Sequence, residues 1–366
     1  MGRYSSHGGF KGLTVDPPPI TLVELLDLTI TDCTSDDFDH KMLLFLFFCL
    51  STAAAVALLV RFVTAEGDFT LMSKRHVKRQ EIEDKVVWIT GASRGIGEIL
   101  AKQLAALGAK LILSARNEAE LQRVKNQLRG KYAPDQVKIL RMDLASGEEV
   151  LSEAVEKAVS FFPDCGVDIM IHNAAFERLK TAALDVPEED LKATFNINVL
   201  GTISLTRLLA PFMLKRGSGH FVVMSSAAGK TPAPGQAVYS ASKFALNGYF
   251  HSLRSELCQK GIKVTVVCPG PIDTSTGATD SGAKGSLEKR LPTERCVELT
   301  IIAASHGLKE AWISYQPVLA VMYLVQYMPT IGFWLMDKVG KNRVEAAAKK
   351  RSAYSLSLLF GNKKAS

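Results

Sequence analysis

Two residues four apart carry the most specific chemistry in this sequence. In Tyr239-Ser240-Ala241-Ser242-Lys243 a helix sets the phenol and the amine on one face, about a turn from each other. A nearby ammonium stabilises a phenolate, which draws the Tyr239 pKa down from about 10 toward neutrality. Such a phenol can exchange a proton with a substrate oxygen while hydride moves at the neighbouring carbon. A second constellation is Thr90-Gly91-Ala92-Ser93-Arg94-Gly95-Ile96-Gly97, which follows an apolar run and precedes a helical one. Glycines there permit a tight turn and close approach of backbone to a pyrophosphate, and the helix N-terminus offers unpaired N–H groups.

The elements that must position these residues repeat along the chain. VVWIT (86–90), KLILSA (110–115), VKILRM (137–142), VDIMIH (167–172), HFVVMS (220–225) and IKVTVVC (262–268) read as strands. Between them apolar residues fall at helical spacing, as in Ile99, Leu100, Leu104 and Leu107, or Val199, Ile203, Leu205, Leu208 and Leu209. Continuous apolarity within each strand, with helices between, predicts a parallel sheet buried on both faces. The expected fold is α/β, a single doubly wound Rossmann-type sheet over roughly residues 84–310.

The glycine turn has the spacing TGxxxGxG. With Asn173-Ala174 after the fourth strand, Asn198-Val199-Leu200-Gly201, Ser225-Ser226, the Tyr239/Lys243 pentapeptide and Pro269-Gly270, it resembles the short-chain dehydrogenase/reductase family in its shorter branch. His172 and Ala175 depart from that family's NNAG motif. The resemblance implies a catalytic set of Asn198, Ser226, Tyr239 and Lys243. Ser226 precedes Tyr239 by the family's offset of thirteen, whereas Ser225 does not, and would hold the substrate oxygen. Asn198 would orient a water linking Lys243 to solvent, and Lys243 would also hold the nicotinamide ribose. The implied cofactor contacts are Thr90, Gly91, Ser93, Arg94, Gly95, Ile96, Gly97, Arg116, Asp143, Leu144, Asn173, Ala174, Tyr239, Lys243, Pro269, Gly270, Ile272 and Thr274. Leu113-Ser114-Ala115-Arg116 has no acid where NAD-preferring relatives hold the ribose 2′-hydroxyl. Arg94 and Arg116 suit a 2′-phosphate instead, so NADP(H) is the expected cofactor. The resemblance further implies a homodimer through the helices carrying residues 190–216 and 239–260, and a lipophilic carbonyl or alcohol such as a steroid or retinoid as substrate. A non-catalytic dinucleotide-binding scaffold would keep the glycine turn and arginines, but would not need Ser226, Tyr239 and Lys243 together.

Outside the sheet the sequence changes character. The chain has 366 residues, 47% hydrophobic and 22% charged, which excludes a disordered or fibrous chain for its bulk. Residues 42–60 carry no charge and are flanked by Lys41 and Arg61. At about 1.5 Å per residue such a helix spans a bilayer core of roughly 30 Å. We read 42–63 as a retained single-pass anchor, because the run continues past Ala55 and Ala57 to Val60 and Phe62. The basic linker 64–83 contains Lys74, Arg75, Lys78 and Arg79, which places the sheet-forming region beyond it in the cytosol by the positive-inside rule. Residues 1–41 form an acidic, poorly ordered head, and the resemblance points to the endoplasmic reticulum membrane. The apolar stretch 312–336 is broken by Pro317, Gln326, Pro329 and Gly332, and suits an interfacial helix pair within a membrane-associated extension, 311–366. Residues 338–366 hold eight basic residues against the single acid Glu345, as large an excess as the whole chain's +7. Beside apolar sequence this charge suits membrane lipid; no nucleic-acid motif accompanies it. Residues 275–290, rich in Gly, Ser and Thr, read as a mobile substrate lid. Six scattered cysteines show no metal or disulfide spacing, and no metal is expected.

Overall fold

The computed structural model describes residues 35–177, 181–274 and 290–348. All but Arg290 of the expected lid at 275–290, and most of the acidic head, lie outside them. The chain divides into two units, Met1–Val63 and Thr64–Ser366. In the first, a helix runs over Ser35–Val63. Its stretch His40–Val63 has a mean hydropathy of 2.7, with none of it buried, and is long and apolar enough to cross a membrane.

The second unit is built on a seven-stranded parallel sheet. Strands β1 (Val86–Thr90), β2 (Lys110–Ala115), β3 (Lys138–Arg141), β4 (Ile169–His172), β5 (Gly219–Met224) and β6 (Ile262–Pro269) lie within a residue or two of the runs read from sequence. Two-residue strands β7 (Ile272–Asp273) and β8 (Leu291–Pro292) pair with each other, and β9 (Glu310–Ile313) completes the large sheet. The order β3-β2-β1-β4-β5-β6-β9 reverses direction between β1 and β4, and there a crevice opens beyond the strand ends. Alternate residues of β1 enter opposite cores. Val87 and Ile89 meet Leu100, Leu104 and Ile301 on one face, while Val86 and Trp88 meet the side carrying Leu205, Leu246 and Phe250. Burial on both faces explains why these strands read as continuous apolar runs.

The structure differs from the sequence reading at both ends of this unit. The boundary expected at 310 falls inside β9, which is only four residues long. The supposed linker also folds. Gly67 bridges Ile313, Trp312 N donates to Asp68 Oδ2 at 2.6 Å, Asp68 N donates to Trp312 O at 3.0 Å, and Ser314 N donates to Glu66 O. An edge strand leaves backbone groups without partners, and residues 66–68 satisfy them. The Asp68 carboxylate also accepts from Leu71 N at 3.0 Å, capping a turn of helix over Phe69–Met72.

Beyond β9, helices Val318–Tyr327 and Pro329–Ala348 form a pair broken at Met328, as the interrupted pattern predicts. Leu319, Met322 and Val325 are buried. A Cβ on Gly332 would lie 2.7 Å from Val325 Cα, so only glycine lets the two helices approach this closely. Tyr327, Met328, Ile331, Phe333 and Trp334 stay exposed.

Because the Asp68 carboxylate answers both the Trp312 and the Leu71 donors, Asp68→Ala should destabilise the folded unit by about 1–3 kcal/mol. A thermal or denaturant melt of the full chain checks this.

Candidate functional site

The site begins at the crevice between β1 and β4. The chain turns after β1 with Gly91 at φ +67° and Gly95 at φ +56°, and the helix Gly95–Ala106 starts there. A Cβ on Gly91 would come within 2.8 Å of Ala174 Cα, and one on Gly97 within 2.1 Å of Gly91 O. The turn is therefore folded tightly against both β4 and its own helix. Thr90 Oγ1 accepts from the backbone of Asn173 (3.1 Å) and Ala174 (3.2 Å), while Asn173 Nδ2 donates to Thr90 O and Gly91 O. Thr90, Gly91, Gly97, Asn173 and Ala174 thus form one hydrogen-bonded floor.

Around that floor stand the remaining sequence candidates. Ser93 is half-buried and its carbonyl accepts from Arg123. Ile96 packs on the core, and Gly95 faces Thr274, whose Cβ lies 3.8 Å from where a Gly95 Cβ would sit. The segment Pro269–Thr274 therefore reaches back to the glycine turn, with Gly270 packed against Ser314 and Ile272 half-buried beside the core. Arg94 and Arg116 are exposed. Arg116 O accepts from Arg141 Nε at 3.2 Å, which adds a cation the sequence reading missed. The parallel register pairing Ala115 with Arg141 puts it there. Asp143 Oδ1 accepts from Ala145 N, fixing its own turn, and Leu144 is buried against Gly201.

Tyr239 and Lys243 lie on the helix Ala237–Leu257, as their spacing requires. Lys243 is only 2% exposed; its Nζ donates to Met224 O at 2.8 Å and sits 5.5 Å from the centre of the Tyr239 ring. Burial pushes its pKa down to about 8, opposed by the negative charge of Glu177. Ser226 is half-buried at the end of β5. Its Oγ accepts from Ala228 N at 3.1 Å and lies 3.5 Å from Pro269 O. Ser225 is instead buried, with its Oγ 3.4 Å from Lys243 O. The short turn Ala227–Gly229 is laced to the helix, since Ser240 Oγ donates to Ala228 O and Asn247 Nδ2 to Gly229 O. This lacing fixes Ser226 relative to Tyr239.

Asn198 lies in a π-helical segment, Asn196–Gly201, between helices Glu188–Phe195 and Thr202–Arg216. The widened turn aims its amide across the site. Oδ1 accepts from Phe176 N at 2.6 Å, and Nδ2 donates to Phe176 O and to Ser242 Oγ. Ser242 Oγ donates in turn to Tyr239 O at 2.7 Å. The contributions of Phe176, Ser242 and the Met224 carbonyl have no signal in the sequence, because two are backbone groups and the third reads as an ordinary helix serine. His172, which stands where the resemblance expects asparagine, is buried between Phe221 and Phe250, and its Nε2 lies 2.9 Å from Thr206 Oγ1. Burial pushes its pKa down to about 3, so it is neutral.

These groups make a crevice with three chemical parts. A glycine floor at a helix N-terminus and exposed arginines suit a phosphorylated dinucleotide. A phenol over a buried ammonium can move a proton, and a half-buried serine hydroxyl beside it can hold a polar oxygen.

Comparison with known proteins agrees with this picture. A family model described as short chain dehydrogenase matches residues 85–284. The chain is 38% identical over 320 residues to dehydrogenase/reductase SDR family member 7 of Homo sapiens, covering 83% of this chain and 93% of that one. It is 34% identical to the family protein 7-like of Drosophila melanogaster, covering 71% and 82%. A crystal structure of a metagenomic short-chain oxidoreductase in complex with NADP is similar with a TM-score of 0.51 at 26% identity, covering 62% of this chain and 92% of that chain.

The glycines divide into two classes that substitution separates. Gly97→Ala, with backbone 2.1 Å from the new methyl, should lower the thermal midpoint, whereas Gly248→Ala, in the helix Ala237–Leu257 with nothing within 4 Å, should be neutral or stabilise by up to about 1 kcal/mol.

Proposed function

The chain belongs to the short-chain dehydrogenase/reductase family, and from that membership we propose that it is a membrane-anchored, NADP(H)-dependent oxidoreductase interconverting a lipophilic carbonyl and its alcohol. The observation that carries the reading is Lys243, only 2% exposed beside the Tyr239 ring on a helix laced to the Ser226 turn. When bound, NADPH supplies the hydride. Thr90, Gly91, Ser93, Gly95, Ile96, Gly97, Asn173 and Ala174 would cradle the dinucleotide. Pro269, Gly270, Ile272 and Thr274 would close over its nicotinamide end, and Asp143 and Leu144 over its adenine. Arg94 and Arg116 would hold a 2′-phosphate, with Arg141 adjacent. An NADP complex in a structural relative supports that cofactor.

In the direction of reduction, Ser226 Oγ holds the substrate oxygen and Tyr239 delivers a proton to it. Lys243 stabilises the phenolate left behind and holds the ribose, and Asn198 orients the water that returns a proton. The direction follows the NADPH/NADP ratio, which in a reducing cytosol favours the alcohol.

The helix His40–Val63 supports a single-pass anchor. A place in the endoplasmic reticulum membrane and a steroid- or retinoid-like substrate belong to the same proposal. The exposed aromatics of the C-terminal helix pair, with Lys338 Nζ 5.4 Å from the Trp334 ring centre, support contact of that pair with lipid headgroups. Leu191, Leu200, Phe212 and Phe244 are exposed on the helices between 188 and 257, which supports a homodimer through that face.

Two measurements test the reading. Detergent-solubilised full-length protein should oxidise NADPH against a panel of lipophilic ketones and aldehydes. Tyr239→Phe should lower turnover about 10²–10⁴-fold while NADPH binding survives; binding without turnover in the wild type would make the chain a scaffold. In liposomes containing brominated lipid, Trp334 fluorescence should be quenched and the quenching lost in Trp334→Phe, since Trp88 and Trp312 are buried.

A further inference from the structure

Glu177 is a carboxylate that the functional reading leaves unused. It follows Phe176, whose main chain is held on both sides by Asn198. Its Oε1 accepts from Gln236 Nε2. Gln236 is the residue on which the helix of Tyr239 and Lys243 starts, and its carbonyl accepts from Ser240 N at 2.8 Å. A few residues on, Thr181 N donates to Gly235 O at 3.0 Å. The segment after β4 is therefore tied to the π-helical turn of Asn198 at one end and to the first turn of the Tyr239 helix at the other. Glu177 makes the second tie with a formal negative charge, placed where the helix dipole is positive.

We propose that Glu177 is a positioning residue of the proton-transfer site: it fixes Gln236 at the start of the Tyr239 helix and so sets a carboxylate at the turn that carries the Tyr239–Lys243 pair. The inference rests on the oxidoreductase reading for its purpose, though not for its test.

The surroundings of Lys243 allow this role. Burial dominates its proton affinity, and the negative charge of Glu177 is the largest influence in the opposite direction. Among the described residues, the other titratable groups at the ammonium are Tyr239 on the same helix and Cys268 on β6. Burial pushes the Cys268 thiol up to about 12, so it remains neutral near physiological pH. Lys230 and Glu310 lie beyond Cys268 and pair with each other at 2.7 Å. Among the described residues, Glu177 is thus the carboxylate that acts on Lys243 from outside its own helix. Removing a negative charge lowers the proton affinity of every nearby titrating group, so the coupled pair should lose its protons at lower pH.

The test is a spectrophotometric titration of tyrosinate absorbance on full-length protein, each variant measured against its own Tyr239→Phe counterpart so that the difference isolates Tyr239. Glu177→Gln retains an oxygen to accept from Gln236 and loses only the charge. Its Tyr239 midpoint should fall below that of the wild type. Glu177→Asp keeps the charge, and its midpoint should stay near that of the wild type. An unchanged midpoint in Glu177→Gln, or an equal shift in Glu177→Asp, would overturn the inference, because a purely structural contact would leave the ionisation alone or respond to shape rather than charge. Since no turnover is required, a protein that shifts as expected yet reduces no carbonyl keeps this inference and loses the functional reading; active protein without the shift does the reverse.

Discussion

A lysine with 2% of its surface exposed is expensive to keep charged. Transfer of a charged amine out of water costs several kcal/mol even after relaxation, and the described return is one hydrogen bond to Met224 O and the face of the Tyr239 ring. Burial accordingly drags the Lys243 pKa down to about 8, which leaves the amine charged at neutrality but close to its limit. Most of the surrounding geometry follows from holding that charge still. β5 must end at Met224 with its carbonyl aimed at the helix, and the helix must begin near Gln236 to bring Tyr239 and Lys243 over that strand end. Ser240 and Asn247 lace the helix to the turn after Ser226. A fold selected for stability alone would fill the position with an apolar side chain.

The rest of the crevice depends on close approach rather than charge. Gly97 sits where any side chain would strike the Gly91 carbonyl, and Gly91 where one would strike Ala174. The helix N-terminus, the β1 turn and the β4 end are consequently pressed into one floor, with the Thr90 hydroxyl serving two backbone N–H groups at its centre. The strand order puts this floor beside the Ser226 turn, because β1, β4 and β5 are neighbours in the sheet. The glycine floor and the Tyr239–Lys243 pair are therefore adjacent by topology, and the π-helical widening at Asn198 closes the gap between Phe176 and Ser242.

Much of this was legible in the sequence. Strands buried on both faces read as uninterrupted apolar runs, so β1 to β6 could be placed within a residue or two. The Tyr239/Lys243 spacing required a helix, and one is present. What the sequence hid falls into two physical kinds. β9 is four residues long, and its pairing with residues 66–68 is made by backbone groups and the Asp68 carboxylate, so an apparent linker is a sheet edge. Likewise, Met224 and Phe176 act through main-chain atoms, and Glu177 through a side chain whose partner is 59 residues away in sequence. Residue type says nothing about such contacts until the topology is known.

The central claim is that the buried charge of Lys243 is kept for proton transfer at the expense of stability. Lys243→Met, similar in length and without charge, tests it most directly when thermal midpoint and single-turnover NADPH oxidation are read on the same preparation. Loss of the bond to Met224 O costs about 1–3 kcal/mol, less than the relief of desolvating the ammonium. The midpoint should therefore equal or exceed that of the wild type, with the rate of NADPH oxidation down at least about 100-fold. A variant that oxidises NADPH as fast as the wild type would contradict the claim.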